Sequence, residues 1–204
     1  MNYSPIMVVC EGSSEVNYIT RLNRIFCYSD SKCMIFKPYN AGGGRYSFVS
    51  KKYNEVLAGN RKLESRIKIW VDQDLYVRAG TEENRMYCSR CKLVPKFMFS
   101  LMNFEDYLTM HCAEGIVEDW QNTCESRNHF TEPMHANQYE ELFNSLIKKY
   151  FGVDYKKGDV PFELSQNTFT ANLFRNLKNP QFKFKNGFGE LLMNMYEKRV
   201  IVFK

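Results

Sequence analysis

Long apolar segments are missing from this sequence. Its longest apolar runs are only about as long as Ile6–Cys10, whereas a helix that crosses a bilayer needs about 20 apolar residues. No stretch has the form of the apolar region of a signal peptide. We therefore expect a cytoplasmic protein that makes no contact with a membrane.

The sequence also offers little for disulfide bonds or thiol-bound metals. It has seven cysteines, and an odd number in a chain without an export signal indicates reduced thiols. Cys88 and Cys91 are the only pair with the spacing of zinc ligands. Because a second pair is missing, a surface loop that carries two thiols is favoured over a structural zinc site.

Familiar catalytic motifs are absent as well. No Ser/His/Asp hydrolase motif is present, and the glycine-rich stretch 41–45 lacks the Gly-Lys-Ser/Thr ending of a nucleotide-triphosphate loop. That stretch is interpreted as a strand-to-helix connection, although its backbone amides could cradle a phosphate. Among the three histidines, His111 is expected to pack in the core, and His129 and His135 are expected to be exposed in a linker.

Acidic residues, in contrast, stand directly behind two apolar segments. Glu11 follows residues 6–10, and Asp72 and Asp74 follow residues 67–71. If both segments are parallel strands, their carboxyl ends meet at one edge of the sheet, where ligands bind. Clustered carboxylates raise one another's pKa unless a cation lies among them. Oxygen ligands alone favour one or two Mg²⁺ or Mn²⁺ ions.

Two further acidic residues occupy expected helix starts. Glu15 lies in the first turn of a helix predicted from Ser13 or Ser14 to Phe26, and Glu105 follows the expected cap residue Asn103. The position of both carboxylates is explained by their favourable interaction with the positive end of a helix dipole. The alternative is that they contribute ligands to the metal site.

Hydrophobic residues make up 44% of the 204 residues, which suits a globular protein with one sizeable core. The pattern predicts an α/β fold with a mainly parallel four-stranded sheet flanked by helices, followed by a mostly helical C-terminal extension. The expected domains are a catalytic core over 1–112 and an extension over 113–204. The remaining predicted elements are strands at 33–36 and 93–101, a crossover helix at 47–57, a mobile polar excursion at 76–92, helices within 113–151, a helix near 168–177 and a last helix that includes 191–196.

Basic residues are unevenly distributed along the chain. Residues 45–100 hold twelve basic and six acidic side chains, whereas residues 101–147 hold one basic and nine acidic. A basic flank beside a carboxylate site suits a nucleic-acid backbone, and ordinary solvated surface is the alternative. Lys183 and Lys185 alternate with aromatic residues, a pattern that suits a phosphate backbone with accessible bases and is also typical of an edge strand. The predicted nucleic-acid contacts are Arg45, Lys51, Lys52, Arg78, Arg85 and Arg90.

At these acidic residues the chain resembles the Toprim domain, a metal-dependent module with a Rossmann-like fold. The version Glu11-Gly12-x-x-Glu15, with Asp72-x-Asp74 and the Glu105 helix, is similar to the RloB-like and overcoming-lysogenization-defect (OLD) nucleases. The resemblance implies that Glu11, Asp72 and Asp74 hold the metal, and that Glu15 and Glu105 complete the set. It also implies that a late lysine, Lys183 or Lys185, assists catalysis.

The resemblance implies a metal-dependent endonuclease that hydrolyses phosphodiester bonds in DNA or RNA, tRNA included. Such proteins act as toxic effectors of bacterial defence against phage. Two alternatives stay open: a nucleic-acid-binding subunit with a silent site under the control of a larger ATPase or sensor, and a ribosomal-RNA processing ribonuclease. Related nucleases commonly dimerise, so a homodimer is a further expectation.

Overall fold

The computed structural model describes residues 4–78, 80–89 and 96–204. Four parallel strands form its central sheet, and two short strands form a separate antiparallel pair. The strands are β1 (Ile6–Cys10), β2 (Phe26–Tyr28), β3 (Phe36–Asn40), β4 (Ile67–Asp72), β5 (Phe97–Ser100) and β6 (Ile201–Phe203). The central order is β3-β1-β4-β5, and β2 pairs with β6.

Helices cover both faces of the central sheet. A 3-10 turn, Arg61–Arg66, precedes β4, and a π-helical stretch, Thr168–Leu173, leads into the eighth α-helix. The α-helices are α1 (Ser13–Ile25), α2 (Tyr46–Gly59), α3 (Asp74–Val77), α4 (Glu82–Ser89), α5 (Phe104–Thr109), α6 (Glu114–Ser126), α7 (Ala136–Phe151), α8 (Phe174–Lys178) and α9 (Gly187–Glu197).

The strand order has a switch point between β1 and β4. From β1 the chain crosses through α1 to β3 on one side, and from β3 it crosses through α2 to β4 on the other side of β1. In open parallel sheets such a reversal leaves a crevice outside the carboxyl ends of the strands, where ligands bind. The predicted α/β fold with a four-stranded parallel sheet flanked by helices is confirmed.

Two hydrophobic clusters lie on opposite faces of this sheet, because successive strand side chains alternate in direction. Val8 and Trp70 belong to the cluster that also contains Trp120, Phe143 and Leu192 from the later helices. The residues after 112 therefore share a core with the sheet. The other cluster joins the alternate strand residues to α2, and its members include Val9, Ile69, Val71, Val49 and Tyr53.

Three predicted elements differ from the structure. The second central strand is Phe36–Asn40 and not 33–36; it contains Pro38, which an edge strand tolerates because one side of its backbone needs no ladder partner. The last central strand is Phe97–Ser100, whereas the prediction was 93–101; residues 93–95 of that range lie outside the described residues. The stretch 76–92, predicted to be a polar excursion, includes α4, which packs against α2 and α3.

No helix in the described ranges combines the length and the apolar character that crossing a bilayer requires.

Candidate metal centre

A cavity of about 1130 Å³ opens at the carboxyl ends of β1 and β4. It lies at the switch point of the sheet, where the strand order predicts a ligand site. All five acidic residues that the sequence singled out as metal ligands line it: Glu11, Glu15, Asp72, Asp74 and Glu105. The structure thus brings together carboxylates from three separate segments of the chain, 11–15, 72–74 and the start of α5.

Glu11 joins the ends of the two central strands. Its backbone N–H donates to the carbonyl of Trp70 at 3.1 Å, which extends the pairing of β1 with β4 by one residue. Its Oε2 accepts the backbone N–H of Asp72 at 3.1 Å. The Glu11 carboxylate is therefore held beside Asp72 by the backbone of the neighbouring strand.

The glycine-rich loop after β3 supports Glu11 from the other side. The N–H of Gly43 donates to the Glu11 carbonyl at 2.8 Å, and the Tyr76 hydroxyl donates to the Gly44 carbonyl at 2.7 Å. A β-carbon on Gly44 would lie 2.6 Å from the carboxyl carbon of Glu11. Gly44 is needed because any larger residue would displace that carboxylate.

Replacing Gly44 by alanine therefore tests the position of Glu11. Because the added methyl group meets the end of a side chain, we expect the Gly44→Ala variant to fold but to bind Mn²⁺ about 10- to 100-fold more weakly. Titration calorimetry measures the change. Gly59→Ala is the matched control, since no described atom lies within 4 Å of its new β-carbon. Unchanged Mn²⁺ affinity in Gly44→Ala would contradict this role of the loop.

Asp72 and Asp74 lie at the end of β4 and at the start of α3. The Oδ1 atom of Asp72 is inaccessible to solvent and has no hydrogen-bond partner among the described residues. Asp74 Oδ1 accepts the N–H of Leu75 at 2.6 Å. A buried carboxylate oxygen without a partner is rare because losing water without gaining a new bond is unfavourable. The Asp72 oxygen thus lacks a positive partner.

Glu15 and Glu105 occupy the first turns of α1 and α5. Glu15 Oε2 accepts the N–H of Gly12 at 3.0 Å, and Glu105 Oε1 accepts the hydroxyl of Tyr155 at 2.9 Å. Both side chains are buried while they line the cavity. Glu15 thus caps its helix and faces the site, so its two predicted roles are compatible. The first turns of α1 and α7 also line the cavity, and their positive dipole ends favour the carboxylates.

Burial and mutual repulsion raise the pKa values of this cluster. Burial, with the nearby charges of Glu11 and Glu105, raises the pKa of Glu15 to about 7. Burial and then repulsion from Glu11 hold the pKa of Asp72 well above its usual value. Burial is also the main cause that raises the pKa values of Glu11, Asp74 and Glu105; repulsion from Asp74 and Glu105 adds to it for Glu11, and repulsion from Asp106 adds to it for Glu105. A cation among these groups would reverse the shifts.

The donor set fits a divalent cation. Mg²⁺ and Mn²⁺ prefer carboxylate oxygens, and Asp72, whose Oδ1 has no partner among the described residues, lines a cavity with the four other predicted ligands. The residues that could hold one or two ions are Glu11, Asp72 and Asp74, with Glu15 and Glu105 beside them.

Two basic side chains also line the cavity, and the sequence pointed to only one of them. Arg78 was a predicted nucleic-acid contact, whereas Lys157 was not predicted. Lys157 Nζ lies 3.2 Å from Glu140 Oε1. Burial opposes its charge, but this bond and the charges of Glu105 and Asp72 raise the pKa of Lys157. No sequence motif marks Lys157, because only the tertiary fold brings it to β1 and β4.

The two late lysines predicted to be catalytic, Lys183 and Lys185, do not line the cavity. Lys183 Nζ lies 3.0 Å from Glu125 Oε1 and over the ring of Phe130. The Lys185 side chain is exposed, and its carbonyl accepts the N–H of Leu101 at 2.8 Å. The alternation of this stretch arises because Phe182 and Phe184 are buried, whereas Lys183 and Lys185 are exposed.

Most of the other predicted nucleic-acid contacts also lie away from the cavity. Lys51 and Lys52 lie on α2, where Lys52 Nζ is 2.6 Å from Glu55 Oε2. Arg45 precedes that helix and Arg85 lies on α4, and both are exposed. Arg90 and the predicted zinc-pair residue Cys91 lie outside the described residues.

His111 is buried, as expected of a core histidine, and its Nε2 lies 2.8 Å from the Tyr18 hydroxyl. Burial lowers the pKa of His111 to about 3. His135 is exposed, as predicted.

The prediction that His129 is exposed is wrong, because this side chain is fully buried. Asp106 offers it a buried partner, with His129 Nε2 and Asp106 Oδ2 3.3 Å apart.

Asp106, Cys124 and His129 form a second cluster whose ligand atoms lie within 4.8 Å of one another. Its geometry does not favour a metal, because both ring nitrogens of His129 and both carboxylate oxygens of Asp106 already have protein partners. Burial also raises the pKa of the Cys124 thiol, whereas a metal ligand is a thiolate. The three residues therefore form a structural hydrogen-bonded cluster.

Searches of protein-family models, of curated proteins and of solved structures find no match for this chain.

Proposed function

We propose that this protein is a divalent-metal-dependent nuclease of the Toprim type, which hydrolyses phosphodiester bonds in DNA or RNA. One observation carries the proposal: carboxylates from three chain segments converge at the switch point of the sheet, and one of their oxygens, Asp72 Oδ1, is buried without a partner among the described residues. Such a cluster is stable in its charged form only with cations. A carboxylate-bound Mg²⁺ pair is a common feature of phosphoryl-transfer enzymes.

In this proposal Glu11, Asp72 and Asp74 hold Mg²⁺ or Mn²⁺, and Glu15 and Glu105 complete or orient the set. Bound metal supplies Lewis-acid stabilisation of the phosphate and lowers the pKa of water. In the reaction, a water oxygen loses a proton and forms a new bond to phosphorus while one ester P–O bond breaks, and the leaving oxygen gains a proton in turn. The hydroxyl of Tyr155 orients Glu105 Oε1, and the N–H of Gly12 orients Glu15 Oε2.

Lys157 and Arg78 supply positive charge beside the carboxylates. The resemblance assigns the neutralisation of the developing phosphate charge to a late lysine, and Lys157 suits that role better than Lys183 or Lys185, since it alone of the three lines the cavity. An ammonium group aimed at a phosphate is effective as a point charge.

We expect the Lys157→Ala variant to cleave nucleic acid about 10- to 100-fold more slowly, since one charge that stabilises the transition state is lost. Its Mn²⁺ affinity should not fall, because Lys157 repels cations. Lys183→Ala is the matched control and should retain the unaltered rate, since Lys183 pairs with Glu125. Comparing initial rates at saturating Mn²⁺ checks both variants. Equal losses in the two would contradict the assignment.

The proposed function is tested by incubating the purified protein with plasmid DNA and with total tRNA, with Mg²⁺, with Mn²⁺ and with EDTA. We expect cleavage that depends on the added metal, and the substrate that is cut shows whether the enzyme acts on DNA or on RNA. A toxic effector should in addition stop growth when the protein is expressed. If both substrates stay intact with either metal, the nuclease proposal fails and the partner-controlled binding subunit takes its place.

A further inference from the structure

One side of the cavity is formed by the segment that joins α6 to α7. Six consecutive residues of this segment, which we call the 131–136 wall, line the cavity together with the carboxylates: Thr131, Glu132, Pro133, Met134, His135 and Ala136. A substrate that reaches the carboxylates must pass this wall, so its freedom to move decides which substrates enter.

The wall is fixed to the core through His129. The Nδ1 atom of His129 accepts the N–H of Met134 at 3.2 Å. In the neutral ring the proton therefore lies on Nε2, which donates to Asp106 Oδ2 at 3.3 Å. The ring itself is fully buried. His129 thus connects the wall to α5, the helix that carries Glu105.

Asp106 is the centre of this attachment. Its carboxylate also accepts the indole N–H of Trp120 at 2.7 Å, the hydroxyl of Tyr139 at 2.8 Å and the N–H of Asn103 at 3.1 Å. These donors belong to α6, to α7 and to the start of α5. Moving the wall outward would separate the Met134 N–H from His129 and leave the Nδ1 atom of a buried ring without its partner, which is unfavourable. The wall is therefore a rigid part of the cavity.

The carboxylates lie deep beside this wall. Glu15 is 3% exposed and Glu105 is 8% exposed, and Asp72 Oδ1 is shielded from solvent. The cavity has a volume of about 1130 Å³, and a B-form duplex is a stiff rod whose major groove alone is about 12 Å wide. A whole duplex is too wide to reach these carboxylates past a fixed wall.

We propose that the cavity accepts a single unpaired nucleic-acid strand and excludes the intact duplex. The inference rests on the nuclease function proposed above and narrows its substrate class. A flexible single strand can bend a phosphate down to the carboxylates. Arg78 and Lys157, which also line the cavity, can contact its neighbouring phosphates.

The experiment uses one sequence in three forms: a 5′-labelled single strand, a blunt duplex, and a duplex with an unpaired tail, each as DNA and as RNA with Mn²⁺. We expect the single strand to be cut at least about tenfold faster than the duplex, equivalent to about 1.4 kcal/mol. Cuts in the tailed duplex should be confined to the tail. Equal cutting within the paired region would overturn the inference and leave the nuclease function intact. No cutting of any form would overturn both.

Replacing His129 tests the part played by the wall. His129→Leu removes both hydrogen bonds of the ring, so the wall should loosen and duplex cutting should rise relative to single-strand cutting. His129→Asn, whose amide can both donate and accept, is the conservative control and should stay closer to the unaltered ratio. An unchanged ratio in a folded His129→Leu variant would overturn the role of the wall. The comparison of substrates on the unaltered protein decides the substrate class even if that variant does not fold.

Discussion

Replacing Asp72 by asparagine should abolish metal-dependent cleavage and make the metal-free protein more stable. The substitution keeps the shape of the side chain but removes a charge that lies, without a partner for its Oδ1, among other carboxylates. We expect the cleavage rate to fall by at least about 10³-fold, since a metal ligand is lost. The free energy of unfolding without metal should rise by about 1 to 2 kcal/mol, because the repulsion between this buried charge and the neighbouring carboxylates is removed.

The two effects together distinguish a functional site from a structural one. A residue that only holds the fold together loses stability and activity at once, whereas Asp72→Asn should lose activity and gain stability. Denaturant unfolding in EDTA and cleavage assays in Mn²⁺ measure the two quantities. Glu118→Gln is the matched control, because Glu118 is an exposed acidic residue on α6 outside the cavity. A less stable Asp72→Asn variant would contradict this account of the site.

The stability of the metal-free protein should fall as the pH rises from about 4.5 to about 7. Glu15 has a folded-state pKa of about 7 against an ordinary value of 4.5, so the folded protein binds a proton more tightly than the unfolded chain does. The protonated Glu15 side chain therefore stabilises the fold fully below pH 4.5, its ordinary pKa, and this stabilisation is lost as the pH rises through the folded-state pKa of about 7. The expected slope is about 1.4 kcal/mol per pH unit for each such proton.

Divalent metal should reverse this dependence at neutral pH. At a concentration about 100 times its dissociation constant, Mg²⁺ or Mn²⁺ should add about 2.7 kcal/mol of stability, which corresponds to a rise in Tm of about 5–10 °C for a chain of this size. Thermal unfolding at several pH values with EDTA and with Mn²⁺ measures both effects. Glu15→Gln keeps a residue suited to the capping box and should flatten the slope in EDTA. A Tm in EDTA that rises between these pH values would contradict the raised pKa.

The acidic residues of the cavity could be predicted because local patterns mark them. Glu11 and Asp72 follow apolar strands, and Glu15 and Glu105 stand at helix starts, so strand direction alone brings them to one edge. The four parallel strands were predictable for the same reason. Lys157 was not, because it comes from a turn with no motif and reaches the cavity only through tertiary packing.

The burial of His129 could not be predicted for a related reason. Its partners lie on other elements: Asp106 on α5, and a cluster with Trp120 and Tyr139 on α6 and α7. A polar, Pro-containing segment is typical of exposed linkers, and only the buried carboxylate of Asp106 makes the interior favourable for the histidine. Long-range pairs of this kind leave no periodic signal in the sequence.

The most direct test of the account is calorimetric titration of the unaltered protein and of Asp72→Asn with Mn²⁺ and with Mg²⁺. We expect saturable binding of one or two ions to the unaltered protein, and loss of that binding in the variant. If the unaltered protein does not bind either ion, or if the variant binds them equally well, the carboxylate cavity is not a metal centre and the account is contradicted.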